Sequence, residues 1–504
     1  MHACNRGSGV RLPSLAATIL TLSVLAACAV GPDYQHPAAP TATRYAPGPL
    51  PSTTASAPVA GGEAQRIVAG MDIPEQWWLG FGSVALDRLI DDALRHNPDL
   101  AAAQAALRSA WENVYAQRGL SLPGVTASVN PTRQKTAEIL ASPLQSGASL
   151  YSLTTAQVSV SYTPDLWGAN RRQVESLIAQ ADAQSFQLQA TYLTLIANVV
   201  NAAIGAASLQ AQITATEAVI DGQSRIVDSY RRQLALGQVA QSDLLAQQAA
   251  LAQARAALPP LQKQLAQQQD LLRALSGRSP DSETDIRFAL ADLRLPRDLP
   301  LSLPARLIEQ RPDVRMADAV LHAACAQVGV AIANRLPDIQ IAADFGLVGG
   351  AGQRFGGAGS GFWDLGASLT QPLFDGGTLK HRQRAAEANY RQAEAQYRSV
   401  ALGALQNVAD VLYAVEFDAV ALQTAASAEQ AASRSLDIAR REQRAGDISA
   451  TDLLNAELTW HQAQIALVQA QAARYADTVA LFQALGGGWW HAAESGADAA
   501  DAMR

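Results

Sequence analysis

The chain is written twice, and this constrains its fold more than any single motif. Asn97-Pro98-Asp99 reappears as Arg311-Pro312-Asp313, and Leu122-Pro123-Gly124-Val125 as Leu336-Pro337-Asp338-Ile339. Gly237 to Leu245 (GQVAQSDLL) reappears as Gly446 to Leu454 (GDISATDLL), and Leu275-Ser276-Gly277 as Leu485-Gly486-Gly487. The four anchors recur in one order at a spacing of roughly 210 residues, so each half is one structural unit.

Each unit reads helix, strand, loop, strand, long helix, turn, helix. Pro98 to Arg118 is helical, with proline suited to the first turn and Gly119 to the stop. Two segments per unit then alternate with period two, which demands strands. In the first unit Val125, Ala127 and Val129 share one face, as do Ala156, Val158, Val160 and Tyr162. In the second, Ile339, Ile341, Ala343, Phe345 and Leu347 do so, and Trp363, Leu365, Ala367 and Leu369 repeat the pattern. A helical run follows each second strand. Arg171 to Leu236 and Thr378 to Ala445 each predict a rod of about 100 Å. Leu188, Tyr192, Leu195, Ile196, Val199 and Val200 form an apolar stripe on the first, with Gln187, Asn198 and Asn201 off it. The shorter helices, Pro98–Gly119 and Ser242–Leu275, would nearly match that rod if stacked end to end. Pro259-Pro260 is expected to kink or break the second of them.

The expected organisation is therefore a signal peptide over 1–27 and an extended N-terminal strap over 28–75. The first repeat covers 76–280, with strands about 125–135 and 155–163. A linker covers 281–300, and the second repeat 301–487, with strands about 339–348 and 362–371. A loose tail covers 488–504, loosening from Gly486. Arg6 and Arg11, the apolar run Leu12–Val24 and the small residues before Cys28 have the logic of an export signal. Leu25-Ala26-Ala27-Cys28 matches a bacterial lipobox, so Cys28 is expected to be the acylated first residue of the mature protein, carrying palmitate-type chains. Several such chains anchor stably where one does not. Ala29 follows, without the aspartate that retains lipoproteins at the inner membrane, which points to the outer membrane. Cys325 is then left without a partner and is expected to be a small buried side chain. The formal charge of −7, without a basic stripe, argues against nucleic acid as a partner.

Strands of about ten residues have the length that crosses a bilayer as β-structure. Four of them cannot close a barrel, and open edges cannot remain in hydrocarbon. Several copies must share one barrel. Two copies give eight strands and a filled interior; three give twelve and room for a lumen. The periodicity thus asks for at least three copies. The long helices would extend the same cylinder into the periplasm, well beyond the short turns of a simple porin.

Further motifs then carry a resemblance. They are Cys28-Ala-Val-Gly-Pro-Asp-Tyr34, Gln76-Trp77-Trp78 with Phe81, Leu86 to Leu100 (LDRLIDDALRHNPDL), Asp165-Leu166-Trp167-Gly168, Arg311-Pro312-Asp313-Val314 and Gln371-Pro372-Leu373-Phe374-Asp375-Gly376-Gly377. In order and on a duplicated frame, they resemble the TolC-like outer-membrane factors, in the lipoprotein (OprM/NodT-like) branch that serves resistance-nodulation-division efflux pumps. The resemblance implies a mostly α fold with a small membrane β part. It implies a homotrimer whose 12-stranded β-barrel is continuous with a 12-helix α-barrel. It further implies a periplasmic adaptor (membrane fusion) protein and an inner-membrane RND-type transporter as partners, surrounding outer-membrane lipid, no cofactor beyond the lipid on Cys28, and no enzymatic chemistry. The expected function is a passive exit duct of a tripartite efflux pump. A type I protein-secretion duct and a structural periplasmic strut are the alternatives.

In that family the turns between long and short helices form the periplasmic tip. The resemblance places a constriction at Thr451, Asp452, Asn455 and Asp243. It places adaptor contacts at the turns Gly237-Gln238 and Gly446-Asp447. Three copies of Asp452 near the axis would form an anionic ring. Asn455 stands where the family usually has a second aspartate, and Ile448 and Gln443 replace an arginine and a tyrosine used for gate links, so the ring is expected to be weaker in charge. Ser449-Ala-Thr-Asp452 and Ser242-Asp243 are also good helix-start chemistry. Constriction and capping stay open for Asp452, and capping leads for Asp243. The glycines between Gly349 and Gly361 read as a surface loop, and Trp77-Trp78 as packing of the strap. The aspartate motifs at 165 and 375 read as joints between barrel and helix. The seven histidines lack metal spacing.

Overall fold

A computed structural model describes residues 29–38, 44–48, 51–137, 149–282, 288–350 and 356–491. In chain order the elements are β1 (Arg66–Ala69), α1 (Val84–His96), α2 (Pro98–Gly119), β2 (Gly124–Lys135), β3 (Leu150–Tyr162), α3 (Ala169–Ala235) and α4 (Gln241–Leu275). There follow β4 (Asp298–Leu301), α5 (Pro304–Gln310), α6 (Pro312–Ala333), β5 (Asp338–Gly350), β6 (Gly361–Thr370), α7 (Thr378–Ala445) and α8 (Ala450–Ala484). The chain divides into two compact units: Met1–His36, Arg108–Ala183 and Asp318–Gln396 in one, and Pro37–Leu107, Gln184–Ala317 and Tyr397–Arg504 in the other.

The first unit contains a four-stranded antiparallel sheet in the order β2-β3-β5-β6. Its register aligns the period-two pattern across strands. Val125 faces Val160, Ala127 faces Val158, Val158 faces Phe345, and Phe345 faces Trp363. One face is therefore apolar, and it is exposed: Val125, Val129, Phe345, Trp363, Leu365 and Leu369 are each at least 66% accessible. The other face pairs Ser128 with Gln157 and Asp344 with Asp364. There the Ser159 hydroxyl donates to Asp344 Oδ1. β3 starts at Leu150, five residues before the expected strand, because Leu150–Thr154 pair with Lys135–Pro131 although their alternation is poor. β2 and β6 are the sheet's two edges.

Aspartates start the helices that follow the sheet. Asp165 accepts the backbone N–H groups of Asn170 and Arg171 at 3.1 and 2.8 Å, and Asp375 accepts those of Gly377 and Leu379 at 2.8 Å each. Orphan donors of a first helical turn are satisfied this way. Trp167 Nε1 donates to Pro337 O at 2.8 Å, tying the first joint to the second repeat. The segment after Cys28 lies on α3 and α6. Asp33 pairs with Arg172 at 2.6 Å, and the Tyr34 ring stacks on His322 with centroids 4.4 Å apart. Cys325 is buried and its Sγ faces Pro32 O at 3.7 Å. Burial pushes its thiol above the ordinary range, so it packs as an apolar side chain. Cys28 itself lies outside the described residues.

In the second unit the stripe on α3 is interior: Leu195, Ile196, Val199 and Val200 are at most 5% exposed. Trp77 is buried against Phe482 of α8, rings 5.1 Å apart and 17° from parallel. The short helices of each repeat are joined by a shared device. Asn97 Nδ2 donates to Leu275 O at 3.0 Å, and Arg311 Nη1 donates to Ala484 O at 2.8 Å. Asn97 Oδ1 also caps α2 through Asp99 N and Leu100 N, while Arg311 forks onto Asp313 at 3.0 and 2.7 Å. Gly277 and Gly486 terminate α4 and α8 at φ 67° and 97°, and a Cβ there would meet His96 O at 2.2 Å and Gln310 O at 2.9 Å. Gly277 thus corresponds to Gly486, one residue from the equivalence read off the sequence.

Two expectations are corrected. α4 passes through Pro259-Pro260 as one helix. The carbonyls that lose their donors belong to Arg255 and Ala256, both exposed residues, so water can satisfy them. The extended strap finds a partner: β1 pairs in parallel with β4 at the end of the expected linker, Arg66 to Asp298 through Ala69 to Leu301. The chain is not loose from Gly486. Gly486–Gly488 are buried, and Trp489 Nε1 donates to Gln310 O at 2.6 Å with Phe186 edge-on to its ring. Residues 492–504 lie outside the described residues.

Candidate functional site

The repeat-related turns have one architecture. α3 ends with Gly237 at φ 72°; its N–H donates to Leu234 O at 2.9 Å, and Gln238 N donates to Gln233 O at 2.9 Å. α7 ends with Gly446 at φ 87°, with Gly446 N on Gln443 O at 3.2 Å and Asp447 N on Glu442 O at 2.9 Å. This paired bonding satisfies the last carbonyls and needs a left-handed residue, hence glycine. Open space surrounds both glycines, so backbone conformation alone selects them. Gly237, Gln238, Gly446 and Asp447 are all exposed.

The following helices start on aspartate. Ser449 is the N-cap of α8; its Oγ accepts from Asp452 N at 3.2 Å, and Asp452 Oδ2 accepts from Ser449 N at 3.0 Å. The Ser449 hydroxyl also reaches Asp452 Oδ2 at 2.7 Å. These bonds, the Ser449 hydroxyl first and its backbone N–H second, hold the Asp452 carboxyl below its ordinary range. α4 has half of this box. Asp243 Oδ2 accepts from Ala240 N at 3.1 Å, but Ala240 has no side-chain acceptor to return the bond. Both aspartates therefore cap. Thr451 is half-buried and Asn455 exposed on the first turns of α8, beside the buried Leu454.

Sequence reasoning missed the residue that links helices next to these turns. Glu457, its side chain 14% exposed, meets Arg225 of α3 at 3.1 Å and Arg440 of α7 at 3.8 Å. Three helices from both repeats converge on one carboxylate. Its only advance signal is an acidic residue about two turns past the cap, on a helix of low charge. A compact apolar cluster of Val227, Leu244 and Leu251, with Ile220, Tyr230 and Leu234 around it, seats α4 on α3 behind the first turn. Among the described residues no group of three or more His, Cys, Asp or Glu side chains is placed to hold a metal. The chemistry available at the turns is that of fixed charges and helix ends.

Among the described residues three helices, α3, α6 and α7, are long and apolar enough to cross a membrane by length and composition alone. Two of them run 67 and 68 residues, far beyond the roughly 20 that a span needs. The sheet, with one exposed apolar face, one polar face and strands of 10 to 13 residues, has the properties of a lipid-facing wall.

Comparison with known proteins gives a consistent picture. The family model described as outer membrane efflux protein matches residues 89–278 and 303–487, one stretch per repeat. The pyoverdine export outer membrane protein OpmQ of Pseudomonas putida is 29% identical over 445 residues, covering 88% of this chain and 94% of that protein. The toluene efflux pump outer membrane protein TtgC of Pseudomonas putida is 29% identical over 483 residues, covering 95% of this chain and 96% of that protein. Among solved structures, the outer-membrane channel OprN superposes with a TM-score of 0.78 at 27% identity, covering 92% of this chain and all of that one.

Proposed function

The chain belongs to the outer membrane efflux protein family, and on that premise we propose how this outer-membrane efflux component works: three copies form one passive exit duct. The observation that carries this reading is the incomplete sheet. Among the described residues four strands expose an apolar face and leave the edges β2 and β6 unpaired. In hydrocarbon each unpaired backbone group costs several kcal/mol, so copies must close the ring. Twelve strands leave a lumen that eight would fill. The polar face, with Ser159, Gln157 and Asp344, then lines water, and the apolar face meets lipid. Acylation of Cys28 adds a second hold on the same membrane.

Below the membrane the long helices carry the lumen into the periplasm. Energy comes from an inner-membrane transporter of the resistance-nodulation-division type, linked by a periplasmic adaptor. The adaptor meets the exposed turns Gly237-Gln238 and Gly446-Asp447. Thr451, Asp452, Asn455 and Asp243 form the narrow end. Capping occupies Oδ2 of Asp452, and an ionised carboxylate accepts further bonds, so one side chain can cap its helix and charge the constriction.

The test is reconstitution of the full acylated protein. Native mass measurement in detergent should give three copies, and planar bilayers should show small, cation-preferring openings. A monomer with no ion conduction overturns the reading.

A further inference from the structure

Both edges of the sheet end beside exposed apolar side chains. Gly124 of β2 is level with Ser161, which is level with Ala342, and that with Gly366 of β6. β2 leaves this row upward in sequence from Pro123, and β6 runs past it towards Thr370. Residues just before β2 and just after β6 therefore lie at the same end of the sheet, on opposite edges. After β6 come Leu373 and Phe374, 95% and 93% exposed, in a joint whose own contacts hold only its backbone and polar side chains. Before β2 come Leu120 and Leu122, 65% and 69% exposed, on the wall of a groove of about 690 Å³ that Pro123 and Trp167 also line. Two adjacent bulky apolar side chains at nearly full exposure would lose stability in water. Asp165, Asn170, Asn334 and Arg382 also line the groove, so its apolar part is the wall of Leu120, Leu122, Pro123 and Trp167.

We propose that Leu373 and Phe374 of one copy seat in the Leu120–Pro123 groove of the next copy, so that each base joint is completed only in the assembled ring. The occupant is a second copy because Leu120 and Leu122 stand at the foot of the β2 edge, and the knob continues the β6 edge that must pair with it. The proposal rests on the ring closure argued above, and it makes the contact a register lock. A β6 edge that slipped by two residues against β2 would keep its hydrogen bonds and faces but carry Phe374 out of the groove.

The experiment introduces Leu122→Cys together with Phe374→Cys into the full chain and oxidises the purified assembly. Within one copy the two edges lie three strand spacings apart, roughly 14 Å, too far for a disulfide. A covalent ladder of two and three chains is expected from the double variant, none from either single variant, and none from Phe374→Cys with Leu150→Cys at the sheet's other end. A trimer by native mass without the ladder overturns the seating and leaves the ring intact. A monomer by native mass overturns the ring itself. If the double variant does not fold, an environment-sensitive fluorophore on Phe374→Cys alone decides. Protection from quenching by brominated phospholipid supports the groove, and strong quenching assigns the pair to outer-membrane lipid instead.

Discussion

Arg225 of α3 donates its Nη2 to Oε2 of Glu457 on α8 at 3.1 Å, joining the long helix of one repeat to the short helix of the other. Arg440 approaches the second oxygen at 3.8 Å. The link lies about two turns beyond the capped start of α8, where, in the proposed duct, a small splay of helices would change the width of the narrow end.

Glu457→Gln keeps the shape and removes the charge. Arg225 is about half exposed, so the pair is worth only about 0.2–1 kcal/mol per copy, and thermal stability should barely move. Single-channel conductance should rise, and the exchanged pair Arg225→Glu with Glu457→Arg should bring it back down. Bilayer recordings of the three proteins check this. Equal conductance in all of them removes this link from channel control.

Capping and charge at Asp452 separate by substitution. Ser449→Ala removes the reciprocal acceptor and should cost about 0.5–2 kcal/mol of helix stability, seen as faster amide exchange over 451–455. Asp452→Ala should raise conductance. Asp452→Asn should lower the preference for cations, measured as a shift in reversal potential under a salt gradient, while Ser449→Ala leaves that preference alone. Identical reversal potentials in both variants would reduce Asp452 to a cap.

Stability should carry a pH signature from Asp477 of α8. Burial first, then its hydrogen bond to and charge repulsion from Asp418, push this carboxyl up to about 7, against the opposing pull of Arg474. An unfolded aspartate releases its proton near pH 4. Between those values the folded protein holds a proton that the unfolded chain does not, so the stabilisation is complete below about pH 4 and is lost as pH rises through about 7. Asp477→Asn cannot lose it. The difference in melting temperature, variant minus parent, should widen from pH 5 to pH 8. A constant difference contradicts the assignment.

Cys28→Ser should abolish acyl labelling and leave an unprocessed leader, read directly by intact mass. The ring in detergent and its conductance should survive, because the sheet edges rather than the lipid hold the copies together. Loss of the ring in this variant would transfer that role to the anchor.

Much of the fold was legible because its signals are local. Val125 to Val129 and Phe345 to Leu347 alternate because one face meets a different medium from the other, and period two records that. Ser449 and Asp452 announce a helix start three residues apart. Other features left no local mark. Leu150–Thr154 became strand because Lys135–Pro131 lay opposite them. Pro259-Pro260 stayed within α4, where Arg255 and Ala256, whose carbonyls lose their donors, are exposed residues. Trp489 and Trp490, which read as the start of a tail, found Gln310 and Asp72 as partners for their indole N–H groups.

By itself the sequence determined the four alternating strands, the two long rods and the glycine turns between rods and shorter helices, since each depends on residues within a few positions of one another, and the duplication, since whole motifs recur in one order. Tertiary structure alone decided which strand lies beside which, that β1 pairs with β4, and that Glu457 gathers Arg225 and Arg440. The physical reason is separation along the chain. Periodicity reports which face of an element is wet or dry, but a contact between residues hundreds of positions apart is chosen by packing, and it leaves no repeating trace in either partner.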